Sequence, residues 1–244
     1  MNIFKMITNP KAYVLKAKVR IINKIRSVFF KGDKVLCDIC SWKGARFFDG
    51  HCPKCNSLPR TRLIPFALKH FKLTKNTSKV LHIAPNLNEY HYFKNNVTNI
   101  SNYDRLNIKQ KPQINIIQDL TNTSLDSLQY DLAVAWHVLE HITEDVKAIS
   151  EVYRLLKPGG KFLVSVPIFP IGNFKTFEDA SIAYEDYERI HGHYDHCRSC
   201  GLDYFQRFKS VGFQSDELLI KDVNKKDINF YGLRTDHVVW CFTK

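Results

Sequence analysis

Between Tyr130 and Pro167 the chain reads YDLAVAWHVLEHITEDVKAISEVYRLLKPGGKFLVSVP. An apolar run comes first, then a segment with apolar residues at helical spacing. A Lys157-Pro158-Gly159-Gly160 stop and a second apolar run complete it. Two apolar strands joined through a helix lie parallel, because a crossover of that length returns the chain in the same direction. One such unit commits the surrounding sequence to a sheet with helices packed on both faces.

The rest of the chain from Lys79 onward repeats the alternation. Strands are expected near Val80–Ile83, Ile100–Tyr103, Ile114–Gln118, Asp131–Ala135 and Lys161–Val166, with an antiparallel pair at Asp216–Ile220 and His237–Phe242. Helices are expected around 87–95, 143–157 and 201–211, and a short one at Leu63–Leu73. Residues 168–198 lack clear periodicity and read as a substrate-facing insertion. At 244 residues the chain is long enough for one full α/β core and a small appendage. The expected domains are a basic tail (1–31), a cysteine-rich module (32–62) and an α/β body (63–244).

Charge divides the chain more sharply than its total suggests. Residues 1–31 hold eight Lys/Arg and no acid, so the net +12 leaves 28 basic against 24 acidic residues elsewhere. That weakens nucleic acid as an inference from charge alone. Asn9-Pro10 reads as a helix start. Leu15, Val19, Ile22, Ile25 and Phe29 follow at helical spacing, with Lys16, Arg20 and Lys24 opposite. Such a helix either packs on its own domain or lies peripherally on an anionic membrane. No apolar run of spanning length and no secretory signal is present, and a cytoplasmic setting is expected.

Cys37-x-x-Cys40 and Cys52-x-x-Cys55 place two thiolate pairs on two short turns. Tetrahedral zinc takes four such ligands, so a structural zinc ribbon is expected, saturated by sulfur and without a catalytic position. Zinc would contribute folding free energy on the order of 10 kcal/mol to a module too small to fold alone. Arg60 and Arg62 follow at once; either could meet a phosphate or an acid, and a structural role is favoured. Cys197-x-x-Cys200, with His191, His193 and His196 nearby, lacks a partner pair and is not read as a second metal site.

In open α/β sheets ligands bind beyond the carboxyl ends of the strands. The first strand ends in Ala84-Pro85-Asn86, Asp104 closes the second as expected here, Asp119-Leu120 ends the third and His137 follows the fourth. An acid after the second strand suits two ribose hydroxyls, and one after the third suits an adenine amino group.

Four segments carry a family resemblance: Cys52–Arg60 (CPKCNSLPR), His82–Asn86 (HIAPN), His137–His141 (HVLEH) and Asp195–Tyr204 (DHCRSCGLDY). With them, residues 35–244 resemble a bacterial branch of the class I (type 11) S-adenosylmethionine-dependent methyltransferases that carries an N-terminal zinc ribbon. The resemblance implies a Rossmann-like, doubly wound, seven-stranded sheet in the order 3-2-1-4-5-7-6 with the last strand antiparallel. It also implies S-adenosylmethionine as cofactor, held by His82, Ala84, Pro85, Asp104, Asp119, Leu120 and His137. Ordinary class I enzymes have an acid and a glycine-rich loop where this chain has His82 and Ala84-Pro85, and Asn86 replaces the branch's usual Glu.

Methyl transfer from a sulfonium needs positioning above all, and a hydroxyl acceptor gains from a general base. His196 is the preferred base, with Asp195 to orient its ring and Arg198 to hold an anionic substrate. His193, His191 and His141 are alternatives, and Glu178-Asp179 reads as a solvated turn. The expected activity is O-methylation of a small molecule or glycan. The alternatives are an RNA methyltransferase that grips RNA through Trp42, Lys43, Arg46, Phe47 and Phe48 of the ribbon, or a non-catalytic binding module.

Overall fold

The computed structural model describes residues 10–73 and 79–244, without the side chains of residues 10–17 and Ile100. In chain order the elements are α1 (Pro10–Phe29), β1 (Lys31–Cys37), β2 (Trp42–Gly44), α2 (Pro59–His70), β3 (Val80–Ile83), α3 (Leu87–Asn96), β4 (Tyr103–Asn107) and β5 (Ile116–Ile117). Then come β6 (Tyr130–Trp136), α4 (Asp145–Leu155), β7 (Leu156–Ser165), α5 (Tyr187–His191), α6 (Gln206–Val211), β8 (Gln214–Leu219), α7 (Lys225–Tyr231) and β9 (Val238–Thr243). Two compact units result: Met1–Leu63 with Lys225–Leu233, and Ile64–Asn224 with Arg234–Lys244.

The smaller unit is built on a two-stranded antiparallel hairpin, with Cys37 opposite Trp42. Its buried cluster is only Val35, Cys37, Trp42 and Cys52. Arg62 is buried beside it and donates to four carbonyls: Gly50 at 3.0 Å, Ser57 at 2.6 Å, Tyr231 at 2.9 Å and Gly232 at 2.8 Å. Its guanidinium also stacks on Phe47, 3.8 Å from the ring centroid. Arg62 thus ties the cysteine turns to α7 and is a structural residue. Trp42 and Phe48 are buried too, so these aromatics of the ribbon form core rather than an open stacking face. In α1, Ile21, Ile22, Ile25, Val28 and Phe29 are exposed, as are Lys18, Arg20 and Lys24. The expectation that rests on Leu15 and Lys16 concerns side chains outside the described residues. Among the described residues no helix is long and apolar enough to cross a membrane.

The larger unit is the sheet. Its order is β5-β4-β3-β6-β7-β9-β8, with β9 antiparallel to both neighbours and the first five strands parallel. Counted from β3, that is the expected 3-2-1-4-5-7-6. The central strands are buried on both faces, β3 over all four residues and β6 from Leu132 to Trp136, which is why they read as continuous apolar runs. Helix α4 buries Ala148, Ile149, Val152 and Leu155, an i, i+3/i+4 stripe lying on the sheet core.

Two strands begin three or more residues away from the expected position. Ile100–Asn102 forms a 3₁₀ turn, and the second strand occupies Tyr103–Asn107 instead of 100–103. The polar Ser101 and Asn102 favour a turn, while Tyr103 and Leu106 supply the buried residues that fix the strand. The seventh strand begins at Leu156, before the Lys-Pro-Gly-Gly stop. That segment bulges between the pairs Tyr130↔Leu156 and Leu132↔Lys161, with Gly159 at φ 76°.

Candidate functional site

Four cysteine sulfurs converge in the smaller unit. Cys37 Sγ lies 3.7 Å from Cys55 Sγ, and Cys40 Sγ lies 3.7 Å from Cys52 Sγ. A tetrahedron with 2.3 Å zinc–sulfur bonds has an edge of about 3.8 Å; these two separations match it, and all four sulfurs lie within 4.8 Å of one another. No fifth protein ligand joins them among the described residues.

The larger unit opens a crevice of about 590 Å³ beyond the carboxyl ends of β3, β4 and β6. Its volume is in the range of small-molecule and cofactor sites. Ala84 lines it at the end of β3 with φ 51°, a left-handed backbone normally left to glycine. The sharp turn is therefore kept without the glycine, at a cost on the order of 1 kcal/mol. His137 lines it after β6, also left-handed at φ 53°. Asp119 and Leu120 line it after β5. Asp119 Oδ1 accepts from Thr121 N and Oγ1, both at 2.9 Å, which holds its carboxyl below the usual range. Asn86 caps α3, accepting from Asn88 N and Glu89 N, while Glu89 returns a bond to Asn86 N. This capping box accounts for Asn in place of Glu.

Three expected cofactor residues stand elsewhere. Asp104 is the second residue of β4, opposite Leu81, and so lies at the amino end of the sheet. There it accepts from Tyr130 OH at 2.8 Å and Asn115 Nδ2 at 3.0 Å. The misplaced strand boundary caused this error: the residue that does end β4 on the crevice is Asn107. His82 is fully buried within β3, its Nδ1 2.8 Å from Tyr103 OH and its ring against Phe93. Burial pushes its pKa down to about 3, so it is a neutral core residue. Pro85 is buried beside the turn and its carbonyl accepts from Gln113 Nε2; neither it nor His82 lines the crevice.

The catalytic expectations also shift. Arg198 is 1% exposed and donates to the carbonyls of Leu139, Ile142 and Thr143 at 2.7, 2.7 and 2.9 Å. It pairs with Glu178 at 2.8 Å and lies 3.5 Å from Asp145. Arg207 and Tyr204 hold Asp145 at 2.7 and 2.6 Å. Arg198 is thus a buried clamp with its donors spent, not an anion holder on the crevice, and Glu178 is an ion-pair partner instead of a solvated turn. Asp195 does line the crevice, but it does not orient His196. It contacts His141 Nδ1 through Oδ1 at 3.2 Å and through its carbonyl at 3.0 Å, and its carboxylate binds His193 Nδ1 closely. Burial acts to raise the Asp195 pKa, but His193 and His141 outweigh it and hold the carboxyl below its usual range. His196 instead bonds the carbonyl of His191 at 3.3 Å and packs against His141 and His193. His141, a secondary candidate in the sequence, lines the crevice wall together with His137.

Glu140 lies between these rings, 3.5 Å from His137 and 3.8 Å from His141. It is fully buried; burial acts to raise its pKa, and His137 and His141 outweigh that to hold it low. Neither Asn107 nor Glu140 was singled out from the sequence. A strand end fixed by the burial of Leu106 was the available signal for the first. For the second it was an acid inside HVLEH.

An open sheet in this order, with a crevice beyond its central strands, defines the class I S-adenosylmethionine-dependent methyltransferase fold. Residues 75–164 match the model of the family described as "Methyltransferase domain". A protein of Mycolicibacterium smegmatis named "Probable S-adenosylmethionine-dependent methyltransferase" is 39% identical over 49 residues, 20% of this chain and 19% of that protein. The chain thus spans about a fifth of the length of the curated relative it matches.

Among solved structures, the 1,6-didemethyltoxoflavin-N1-methyltransferase of Burkholderia thailandensis, with S-adenosylhomocysteine bound, superposes with a TM-score of 0.51 at 15% identity. The match covers 76% of this chain and 78% of that one. The cyclase SpnF superposes at 0.55 with 13% identity, covering 82% and 86%. At these identities the likeness concerns the fold, and the cyclase shows that one fold serves more than one chemistry.

Proposed function

We propose that this chain is an S-adenosylmethionine-dependent methyltransferase that acts on an oxygen of a small molecule or glycan. The observation that carries the reading is the crevice itself, with a left-handed turn at Ala84, polar groups at Asn107 and Asp119, and the His141–Asp195 pair on one wall. Asn107 and Asp119 bind the nucleoside: Asp119 Oδ2 has no hydrogen bond among the described residues and is available to a ligand donor. Ala84 lets the backbone approach the amino-acid end, and His137 borders the reacting centre.

When bound, S-adenosylmethionine would supply an electrophilic methyl on sulfur for an acceptor oxygen, with S-adenosylhomocysteine as the leaving group that keeps the carbon–sulfur electron pair. The acceptor proton goes to Nε2 of His141, whose Nδ1–H is held by Asp195. Arg198 keeps the segment carrying His141 in place through its three carbonyl bonds.

Cys37, Cys40, Cys52 and Cys55 hold a structural zinc in this reading. The basic helix α1, with its exposed apolar residues, makes a peripheral contact with anionic lipid; deleting residues 1–30 should then release the protein from anionic vesicles. Calorimetry with S-adenosylhomocysteine tests the main reading. Binding that weakens in Asp119→Ala supports it, and absence of binding to the folded wild type sinks it.

A further inference from the structure

His141 and His196 are both fixed by their Nδ1 atoms on backbone carbonyls, those of Asp195 at 3.0 Å and His191 at 3.3 Å. Each Nδ1 is therefore an N–H, and in the neutral ring each Nε2 carries a lone pair. Both Nε2 atoms face one oxygen, Glu140 Oε1, at 3.8 and 4.0 Å. The Glu140 side chain is fully buried, and neither of its oxygens accepts a hydrogen bond in the structure. Three electron-pair donors thus converge at this carboxylate, with His137 Nδ1 also 3.5 Å from the same oxygen. A buried carboxylate left in this state costs several kcal/mol. A cation at the point of convergence removes that cost.

We propose that Glu140, His141 and His196 form a binding site for a divalent transition-metal ion on the rim of the crevice. The set is two imidazoles and one carboxylate, a ligand class that takes zinc, iron, cobalt or manganese and leaves coordination positions open. The three ligand atoms lie within 4.8 Å of one another. Closing on an ion at about 2.0–2.2 Å asks each ligand to move by less than about 1 Å. The second shell is already built: a carbonyl on each Nδ1, with the Asp195 carboxylate also 3.2 Å from that of His141. Arg198 then acts as a positioning residue, since its carbonyl partners at Leu139, Ile142 and Thr143 flank two of the ligands.

His141 lines the crevice, so an ion here faces the acceptor. Its open position binds an acceptor hydroxyl and lowers the pKa of that group, the proton leaving to solvent in place of transfer to His141. This role rests on the methyl-transfer reading; the metal site does not.

The test uses the full chain, stripped by chelator and reloaded with Co²⁺. Two equivalents are expected. One shows the thiolate-to-cobalt charge-transfer band of the four cysteines, and the other shows only weak d–d bands. Glu140→Gln and His196→Ala should each lose the second equivalent while keeping the thiolate band and the wild-type circular dichroism. A single equivalent with thiolate character in the wild type overturns the proposal, as does a second equivalent that survives in both folded variants. If a variant fails to fold, the wild-type count still decides. Two equivalents in a protein that does not bind S-adenosylhomocysteine would support the metal site and defeat the methyltransferase reading.

Discussion

The cysteine cluster and the Glu140–His141–His196 cluster gather their ligands by opposite means. In the smaller unit the buried apolar cluster comprises only four residues, two of them cysteines, so packing alone supplies little. There the ligands hold the fold. In the larger unit a buried core runs across the sheet from Leu81 to Phe242, and it can keep a lone carboxylate and two left-handed non-glycine residues where function needs them. There the fold holds the ligands, and Arg198 does the tethering that a zinc ion would do among the cysteines.

The widest gap between the two should appear on removing one ligand from the cysteines. Cys52→Ser should abolish thiolate-bound zinc and cost the smaller unit stability on the order of 10 kcal/mol, unfolding it while the sheet unit keeps its own transition. Metal analysis with hydrogen exchange reads this, and protected ribbon amides without metal would break the comparison. Next in size is the tether. Arg198→Met removes a buried guanidinium that shares Asp145 and Glu178 with Arg207 and leaves the carbonyls of Leu139, Ile142 and Thr143 without their donor, and a loss of about 3–5 kcal/mol is expected. Denaturant melts measure it; a neutral result would mean that the loop carrying Glu140 and His141 is held by other contacts.

Acid should separate the units further. The folded-state pKa of His82 is pushed to about 3 by burial, so the unfolded chain binds its proton more readily. Its contribution is fully present above about pH 6.5 and is lost as pH falls toward 3, about 3 kcal/mol of it by pH 4. His82→Phe should flatten the loss of sheet stability across that window, and an unchanged slope would assign the acid sensitivity to other groups. Zinc should not restore stability lost this way. The smallest expected effect is on the crevice. Asn107→Ala and Asp119→Ala should each weaken S-adenosylhomocysteine binding about tenfold, near 1.4 kcal/mol. Asp104→Asn at the opposite end of the sheet should leave it unchanged in the same calorimetry.

Legibility in the sequence followed the range of the interaction. The four cysteines sit in two turns within nineteen residues, and the crossover from Tyr130 to Pro167 contains its own strands, helix and stop, so periodicity and spacing exposed both. Asp104 misled because an acid twenty residues beyond Ala84 matched a spacing, while the burial of Tyr103 and Leu106 moved the strand three residues on. Arg198 misled because a guanidinium beside an Asp-His pair looks like an anion holder until four of its five donors are seen to be occupied.

By itself the sequence determined the two cysteine pairs, the alternation of strands and helices and the general place of the crevice, since these depend on near neighbours and on apolar runs; the strand order was implied by the family resemblance. Only the tertiary structure decided which residues face one another there. Glu140 and His196 stand fifty-six positions apart, and their approach depends on where the segment after β7 folds back over the sheet. No local pattern encodes that distance, because it results from the packing of the whole domain.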